Sequence, residues 1–115
     1  FAMDRDRRWE RLKLAYDAMV HGVGLHVADP LAAVREAYDR GETDEFVKPL
    51  VMTANGAPIA PLRDGDGIFF VNYRSDRMRQ IVGALCIPSF DGFDVWLLFT
   101  RIPPVPVEHR ASKPP

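Results

Sequence analysis

Cysteine, long apolar runs and net charge are all scarce in this 115-residue chain. Cys86 is its one cysteine, which excludes an internal disulfide, and its place at the apolar end of a predicted helix indicates a buried, unreactive thiol. The apolar run from Val95 to Phe99 is far too short to span a bilayer. A formal net charge of −1 disfavours a general nucleic-acid binder. We therefore expect a cytoplasmic protein that binds neither membrane nor nucleic acid.

Metal ligands are equally sparse, whereas arginine is abundant. The three histidines, His21, His26 and His109, lack metal-ligand spacing with one another or with carboxylates, which disfavours a zinc site. Twelve arginines stand against three lysines. A guanidinium group grips carboxylate and phosphate with two parallel hydrogen bonds, which an ammonium group does not. The excess points weakly to small anionic ligands, since a GC-rich genome would also produce it.

Two helices are predicted in the first forty residues. The first runs from about Asp6 to Val20, where apolar residues recur at helical spacing. These residues are Trp9, Leu12, Ala15, Tyr16, Met19 and Val20. The second helix begins at Pro30, with Asp29 as its N-cap, and Gly41 ends it. The residues predicted to face inward on it are Leu31, Val34, Ala37 and Tyr38.

The second half of the chain mixes turns, one clear strand and one clear helix. Pro49 limits the extended run around it to an edge or irregular segment, and Asn55-Gly56 predicts a tight turn within a loop-rich stretch. The continuous apolar run Ile68–Tyr73 is typical of a strand covered on both faces. Residues 78–85 have helical apolar spacing, and Val95–Phe99 is a candidate short strand.

The order helix, helix, loop, strand, helix indicates an α/β fold. One or two strands do not form a stable sheet by themselves, so we expect part of a larger α/β domain. The residues after the candidate strand, 101–115, are rich in proline and predict an unpacked tail.

Arg74 and Arg77 flank the predicted junction between strand and helix, where Ser75 or Asp76 is the expected cap. Cations are disfavoured by about 0.3–1 kcal/mol at the positive end of a helix. A bound anion would remove this conflict, because helix N-termini and the carboxyl ends of strands both accommodate anionic ligands. Two guanidinium groups at this spacing could clamp a phosphate or a carboxylate. The alternative is a pair of solvated arginines, with Asp76 offsetting the helix dipole.

Three other charged segments have simpler interpretations. The alternating charges of residues 4–11 are typical of a solvated helix start with weak ion pairs. Asp44, Glu45 and Lys48 form either a carboxylate pair or a polar turn. The "DGDG" segment at 64–67 indicates a tight turn, because it lacks the remaining ligands of a calcium loop.

Three long segments together resemble one enzyme family, the cofactor-independent (2,3-bisphosphoglycerate-independent) phosphoglycerate mutases. They are "FAMDRDRRWERLKLAYDAMVHG", "AAVREAYDRGETDEFVKP" and "DGDGIFFVNYRSDRMRQI". The resemblance covers residues 1–94, and its most specific parts are "AMDRDRRWER", "GETDEFVKP" and "FFVNYRSDR". It implies an isomerase that interconverts 2-phosphoglycerate and 3-phosphoglycerate in glycolysis through a phosphoserine intermediate.

The resemblance also implies an architecture and a site. Residues 1–94 would be part of an α/β substrate-binding domain, which in this family is inserted in an alkaline-phosphatase-like domain with a nucleophilic serine and two metal ions, usually Mn²⁺. Carried over residue by residue, the substrate-binding residues are Arg5, Arg74, Ser75, Asp76 and Arg77. The nucleophile and the metal ligands have no counterpart here, so we expect no catalytic residue and no cofactor on this chain.

These implications lead to one expectation and two alternatives. We expect a piece of a longer monomeric enzyme, inactive without its metal domain, that binds phosphoglycerate through its arginines. Residues 95–115 match nothing expected of the family and are taken as a divergent tail. The alternatives are a non-enzymatic module that binds phosphorylated metabolites and a truncated product without function.

Overall fold

The first helix, α1, forms where the apolar periodicity predicts it. The structure is a computed structural model that describes residues 1–87 and 89–95, and α1 spans Trp9–His21. Gly22 ends the helix in the left-handed conformation, with φ of 64°, and its N–H donates to the carbonyl oxygen of Asp17. The buried residues of α1 are Leu12, Ala15, Tyr16 and Val20, which confirms the predicted inward face.

A β-α-β unit follows α1. Strand β1 (Leu25–Val27) pairs in parallel with β2 (Leu50–Ala54), and helix α2 (Pro30–Asp39) connects them. The Asp29 side chain accepts hydrogen bonds from two backbone amides of the first turn of α2, which confirms the predicted N-cap. Gly41, with φ of 82°, ends the helix as expected. Strand β1 was not predicted, because three residues beside two glycines give no periodic signal.

The inward face of α2 is only partly the predicted one. Ala33 and Ala37 are buried, but Leu31 is 70% exposed and Tyr38 is 50% exposed. The two alanines are four residues apart and therefore lie on one stripe of the helix. The helix packs through this narrow stripe of small side chains, so the larger residues beside it remain outside.

A hairpin occupies the start of the stretch predicted as loop. Strand β3 (Ala57–Pro58) pairs antiparallel with β2, giving a three-stranded sheet in the order β1-β2-β3. Asn55 and Gly56 connect the two strands with φ of 53° and 80°, the left-handed values that a two-residue hairpin turn requires. The tight turn at Asn55-Gly56 is confirmed.

The predicted strand Ile68–Tyr73 is wrong: in the described part of the chain, this segment belongs to no sheet. Its side chains alternate, with Ile68 and Phe70 packed against the core while Phe69 and Val71 are 87% and 88% exposed. A continuous apolar run predicts cover on both faces, but only one face of this segment meets the core. The described fold is thus a small mixed α/β arrangement with three helices and a three-stranded sheet.

The core lies between α1 and α3 (Arg79–Cys86), which a short 3-10 turn, Ser75–Arg77, precedes. The side chains of Tyr16, Leu12, Ile81 and Leu85 are the largest fully buried ones. Cys86 is half-buried beside them rather than buried as predicted, and its partial burial raises the pKa of its thiol.

Two further features bear on the sequence-based expectations. No helix among the described residues is long and apolar enough to cross a membrane. Residues 96–115 lie outside the described residues. They include all but the first residue of the candidate strand Val95–Phe99 and of the divergent segment 95–115.

Candidate functional site

Three predicted arginines come together at one cleft, with a volume of about 550 Å³. Arg5 belongs to the segment before α1, whereas Arg74 and Arg77 lie at the two ends of the 3-10 turn before α3. Two parts of the chain that are about seventy positions apart therefore supply one surface. The cleft is lined by Phe1, Ala2, Met3, Asp4, Arg5, Asp6, Arg8, Arg11, Asp44, Glu45, Val47, Asn72, Arg74 and Arg77.

The segment that carries Arg5 is shaped by Asp4. Asp4 is 9% exposed, and its Oδ2 accepts hydrogen bonds from the backbone amides of Asp6 (3.1 Å) and Arg8 (3.0 Å). Between them, Arg7 adopts the left-handed conformation, with φ of 56°, which is uncommon for a residue with a side chain. The chain therefore turns around the Asp4 carboxylate, and Arg5 lies on the outside of this turn.

The segment that carries Arg74 is fixed by Asn72. The Oδ1 atom of Asn72 accepts a hydrogen bond from the backbone amide of Arg74 (3.1 Å), and its Nδ2 lies 3.2 Å from Sδ of Met3. Asn72 thus shapes the backbone at Arg74 and also contacts the N-terminal segment. Neither Asp4 nor Asn72 was predicted as a site residue.

Asp76 bridges two of the arginines. Arg74 donates from Nε to Oδ1 (3.2 Å) and from Nη2 to Oδ2 (2.9 Å), and Arg5 donates from Nη1 to Oδ2 (3.2 Å). The hydrogen bond from Arg74 is the main reason why the pKa of Asp76 lies below its ordinary value, and Arg5 lowers it further. At neutral pH the bridge is therefore a carboxylate between two guanidinium groups.

The predicted helix cap is wrong. Helix α3 begins at Arg79 with Met78 as its N-cap, and no side chain caps it. The three residues of the 3-10 turn separate Ser75 and Asp76 from the first turn of α3, and the Asp76 carboxylate is engaged by arginine side chains instead. Ser75 itself is exposed at the start of that turn. Of the features predicted to favour an anion here, the structure therefore retains the guanidinium groups, whereas neither the predicted helix cap nor the predicted sheet strand is formed by these residues.

A second segment brings acidic groups to the same cleft. Asp44 and Glu45 line it, although the sequence left them open between a carboxylate pair and a polar turn. The Tyr38 hydroxyl donates to Asp44, and the guanidinium group of Arg11 lies 5.8 Å from the centre of the Phe46 ring. These two contacts attach the segment to α2 and α1. Residues 44–46 form a turn, as one of the two alternatives predicts, and this turn contributes two carboxylates to the lining of the cleft.

Other predicted features lie away from the cleft. The "DGDG" segment forms the expected turn, in which the Arg63 amide donates to the Asp66 carboxylate (2.8 Å). Within residues 1–87 and 89–95, no group of three or more His, Cys, Asp or Glu side chains is arranged to hold a metal ion. The two Mn²⁺ ions implied by the resemblance therefore have no fitting site in this part of the chain.

Comparisons with known proteins identify relatives of most of the chain. Residues 1–109 match the family model described as BPG-independent PGAM N-terminus (iPGM_N). The 2,3-bisphosphoglycerate-independent phosphoglycerate mutase of Lawsonia intracellularis is 54% identical over 94 residues, which are 82% of this chain. The 2,3-bisphosphoglycerate-independent phosphoglycerate mutase 2 of Methanosarcina acetivorans is 55% identical over 95 residues, which are 81% of this chain.

The structural comparison agrees. A crystal structure of Leishmania mexicana phosphoglycerate mutase at low cobalt concentration matches with a TM-score of 0.73 and 25% sequence identity. The match covers 81% of this chain and 18% of that one. The chain likewise spans about 18% of the length of the curated relatives it matches.

Proposed function

Because this chain belongs to the BPG-independent phosphoglycerate mutase family, we propose that it supplies part of the substrate-binding domain of such an enzyme. The whole enzyme would interconvert 2-phosphoglycerate and 3-phosphoglycerate through a phosphoserine. Residues 1–94 would belong to the inserted domain, and the metal domain would be its partner. The role proposed for this chain is limited to binding and orienting phosphoglycerate.

The observation that carries the proposal is the convergence of Arg5, Arg74 and Arg77 on one cleft. Phosphoglycerate has a carboxylate at one end and a phosphate on a hydroxyl, so two separate anionic groups must be held at once. Guanidinium groups from two chain segments suit such a ligand better than a single cluster of arginines does, because each guanidinium group can form paired hydrogen bonds with a different anionic group. Fixing both ends lowers the entropic cost of orientation, and the positive charge offsets that of the ligand.

The cleft is also charged in a way that suits a small ligand with hydroxyl groups. Its arginines are accompanied by the carboxylates of Asp44 and Glu45. Carboxylates accept hydrogen bonds from hydroxyl groups and repel anions. A ligand that carries both anionic and hydroxyl groups meets a complementary lining, whereas a uniformly anionic ligand does not.

Binding of 3-phosphoglycerate to the 115-residue chain tests the proposal directly. Arg74→Ala should weaken binding, measured by calorimetry or by amide NMR shifts, roughly 10- to 100-fold, because hydrogen bonds between charged groups are lost. Arg74→Lys should recover only part of the affinity, since the ammonium group cannot replace a fork. Arg79→Ala is the matched control: Arg79 is exposed at the start of α3 and is not among the described residues that line the cleft. Equal affinity of the Arg74→Ala and Arg79→Ala variants would contradict the proposed site.

A chimaera tests the enzymatic part of the proposal. Residues 1–94 of this chain would replace the matching segment of the Lawsonia enzyme, and mutase turnover would be measured with 3-phosphoglycerate. We expect turnover in the chimaera, loss of it on Arg74→Ala, and none from the isolated chain. Binding by the isolated chain together with a folded but inactive chimaera would favour the alternative of a non-enzymatic module.

A further inference from the structure

Asp76 is not among the described residues that line the cleft, but it contacts two of the arginines that do, and the proposed function leaves this carboxylate unexplained. Its carboxylate lies among arginines that are proposed to bind an anionic ligand, and a carboxylate repels phosphate. Two roles are open to such a group. It either occupies the anion position until the ligand displaces it, or it holds the arginines from the side while the ligand binds to their remaining donors.

The contacts of Asp76 favour the second role. Arg74 grips it with Nε and Nη2, and Arg5 reaches it with Nη1. A guanidinium group has five N–H donors. Arg74 thus uses two of its donors on Asp76 and Arg5 uses one, which leaves both with donors for a phosphate or a carboxylate. The ligand does not need to displace Asp76 in order to bind.

The ion pairs of Asp76 connect two chain segments that are distant in the sequence. Arg5 and Asp76 are 71 positions apart, and the ion pair between Nη1 and Oδ2 (3.2 Å) connects the segment before α1 to the turn before α3. Two guanidinium groups repel each other at short range. The carboxylate between them offsets this repulsion and fixes the direction of both side chains.

We propose that Asp76 is a positioning residue that holds Arg5 and Arg74 together in the geometry that binds phosphoglycerate, and that it is not itself a ligand of the substrate. This inference rests on the proposed function for the identity of the ligand. The bridge between Arg5, Asp76 and Arg74 does not depend on that function. The low pKa of Asp76 is consistent with it, because the carboxylate stays ionised throughout the neutral range.

The first test needs no ligand. In the full 115-residue chain, the guanidinium NMR signals of Arg5 and Arg74 are compared between wild type and Asp76→Asn. Loss of the charged bridge should shift the signals of both arginines. Asp66→Asn is the control, since Asp66 accepts its hydrogen bond in the "DGDG" turn. An Arg5 signal that does not respond to Asp76→Asn overturns the proposal, whatever the chain binds.

The second test is a double-mutant cycle with 3-phosphoglycerate. Asp76→Asn should weaken binding about tenfold in the wild type and less than about threefold in the Arg5→Ala variant, because its effect passes through Arg5. Equal losses in both backgrounds, or tighter binding by the Asp76→Asn variant, overturn the proposal. Thermal melting of all four proteins separates these effects from loss of fold.

The two tests also distinguish this proposal from the proposed function. A wild-type chain that fails to bind 3-phosphoglycerate, while both arginine signals respond to Asp76→Asn, contradicts the assigned ligand and supports the bridge. A chain that binds 3-phosphoglycerate, but whose Arg5 signal does not respond to Asp76→Asn, supports the assigned ligand and contradicts the bridge.

Discussion

Replacing Asp4 by alanine should destabilise the protein and displace Arg5 at the same time. The Asp4 carboxylate is buried and accepts hydrogen bonds from the backbone amides of Asp6 and Arg8. Arg8 is the N-cap of α1 and has no side-chain cap of its own, so the carboxylate partly fills that function. Without it, two amides lose their acceptor, and nothing compensates the left-handed backbone of Arg7, which costs a residue with a side chain about 1–2 kcal/mol.

The size of the effect follows from these contacts. Loss of a capping side chain costs about 0.5–2 kcal/mol, and a hydrogen bond to a charged group contributes about 1.5–3 kcal/mol. Because the turn can relax and water can reach the freed amides, we expect a loss of about 2 kcal/mol in the free energy of unfolding. In a domain of this size that corresponds to a melting temperature lower by about 10 °C.

Urea and thermal unfolding followed by circular dichroism measure the change. The Asp4→Asn variant keeps an oxygen that can accept both amide hydrogen bonds and should lose less than half as much. Asp6→Ala is the matched control, because Asp6 is exposed and its ion pair with Arg8 is long, at 3.9 Å. Its expected effect is below about 0.5 kcal/mol. An Asp4→Ala variant that unfolds like wild type would refute the assigned role of the buried carboxylate.

Two further changes test the core and the acidic segment. Ile81→Ala should lower the free energy of unfolding, measured in urea, by about 2–5 kcal/mol, because Ile81 is fully buried between α1 and α3. Ile87→Ala, at a half-exposed position, should lower it far less. Similar losses from both variants would contradict the described core. Asp44→Asn should lower the pKa of Tyr38, followed by ultraviolet titration, back towards 10.0, because the hydrogen bond to the Asp44 carboxylate, followed by its charge, raises that pKa by disfavouring the phenolate. The Tyr38–Asp44 contact stabilises the fold below pH 10.0 and loses its effect as the pH rises through the raised pKa of Tyr38. An unchanged titration curve of Tyr38 in the Asp44→Asn variant would show that the contact is absent in solution.

Sequence motifs predicted three arginines of the cleft, but not their arrangement, and they did not predict that Arg8 and Arg11 also line it. The motifs "AMDRDRRWER" and "FFVNYRSDR" name Arg5, Arg74 and Arg77, yet no local pattern indicates that an early and a late segment meet. Asp76 was expected as a site residue, and only its contacts show that it binds arginine side chains. Asp4 and Asn72 carried no signal, because their roles depend on which backbone amides come within reach.

The extended segment 68–73 shows where sequence patterns fail. Five apolar or aromatic residues among six positions predict a strand, and the alternating exposure of the segment is indeed that of an extended chain. Whether such a segment belongs to a sheet depends on a partner strand at its edge, which is a property of the fold and not of the six residues. The same holds for β1, whose three residues become a strand because β2 lies beside them.

The sequence by itself determined the local structure: α1 through its apolar spacing, α2 through Asp29 and Pro30, and the hairpin turn through Asn55-Gly56. Each of these depends on residues within a few positions of one another, so propensity and capping are sufficient to specify it. The tertiary structure alone decided which face of α2 is buried and which charges meet. Ion pairs such as that between Arg5 and Asp76 join residues 71 positions apart, and their energies depend on distance in space, which local sequence does not encode.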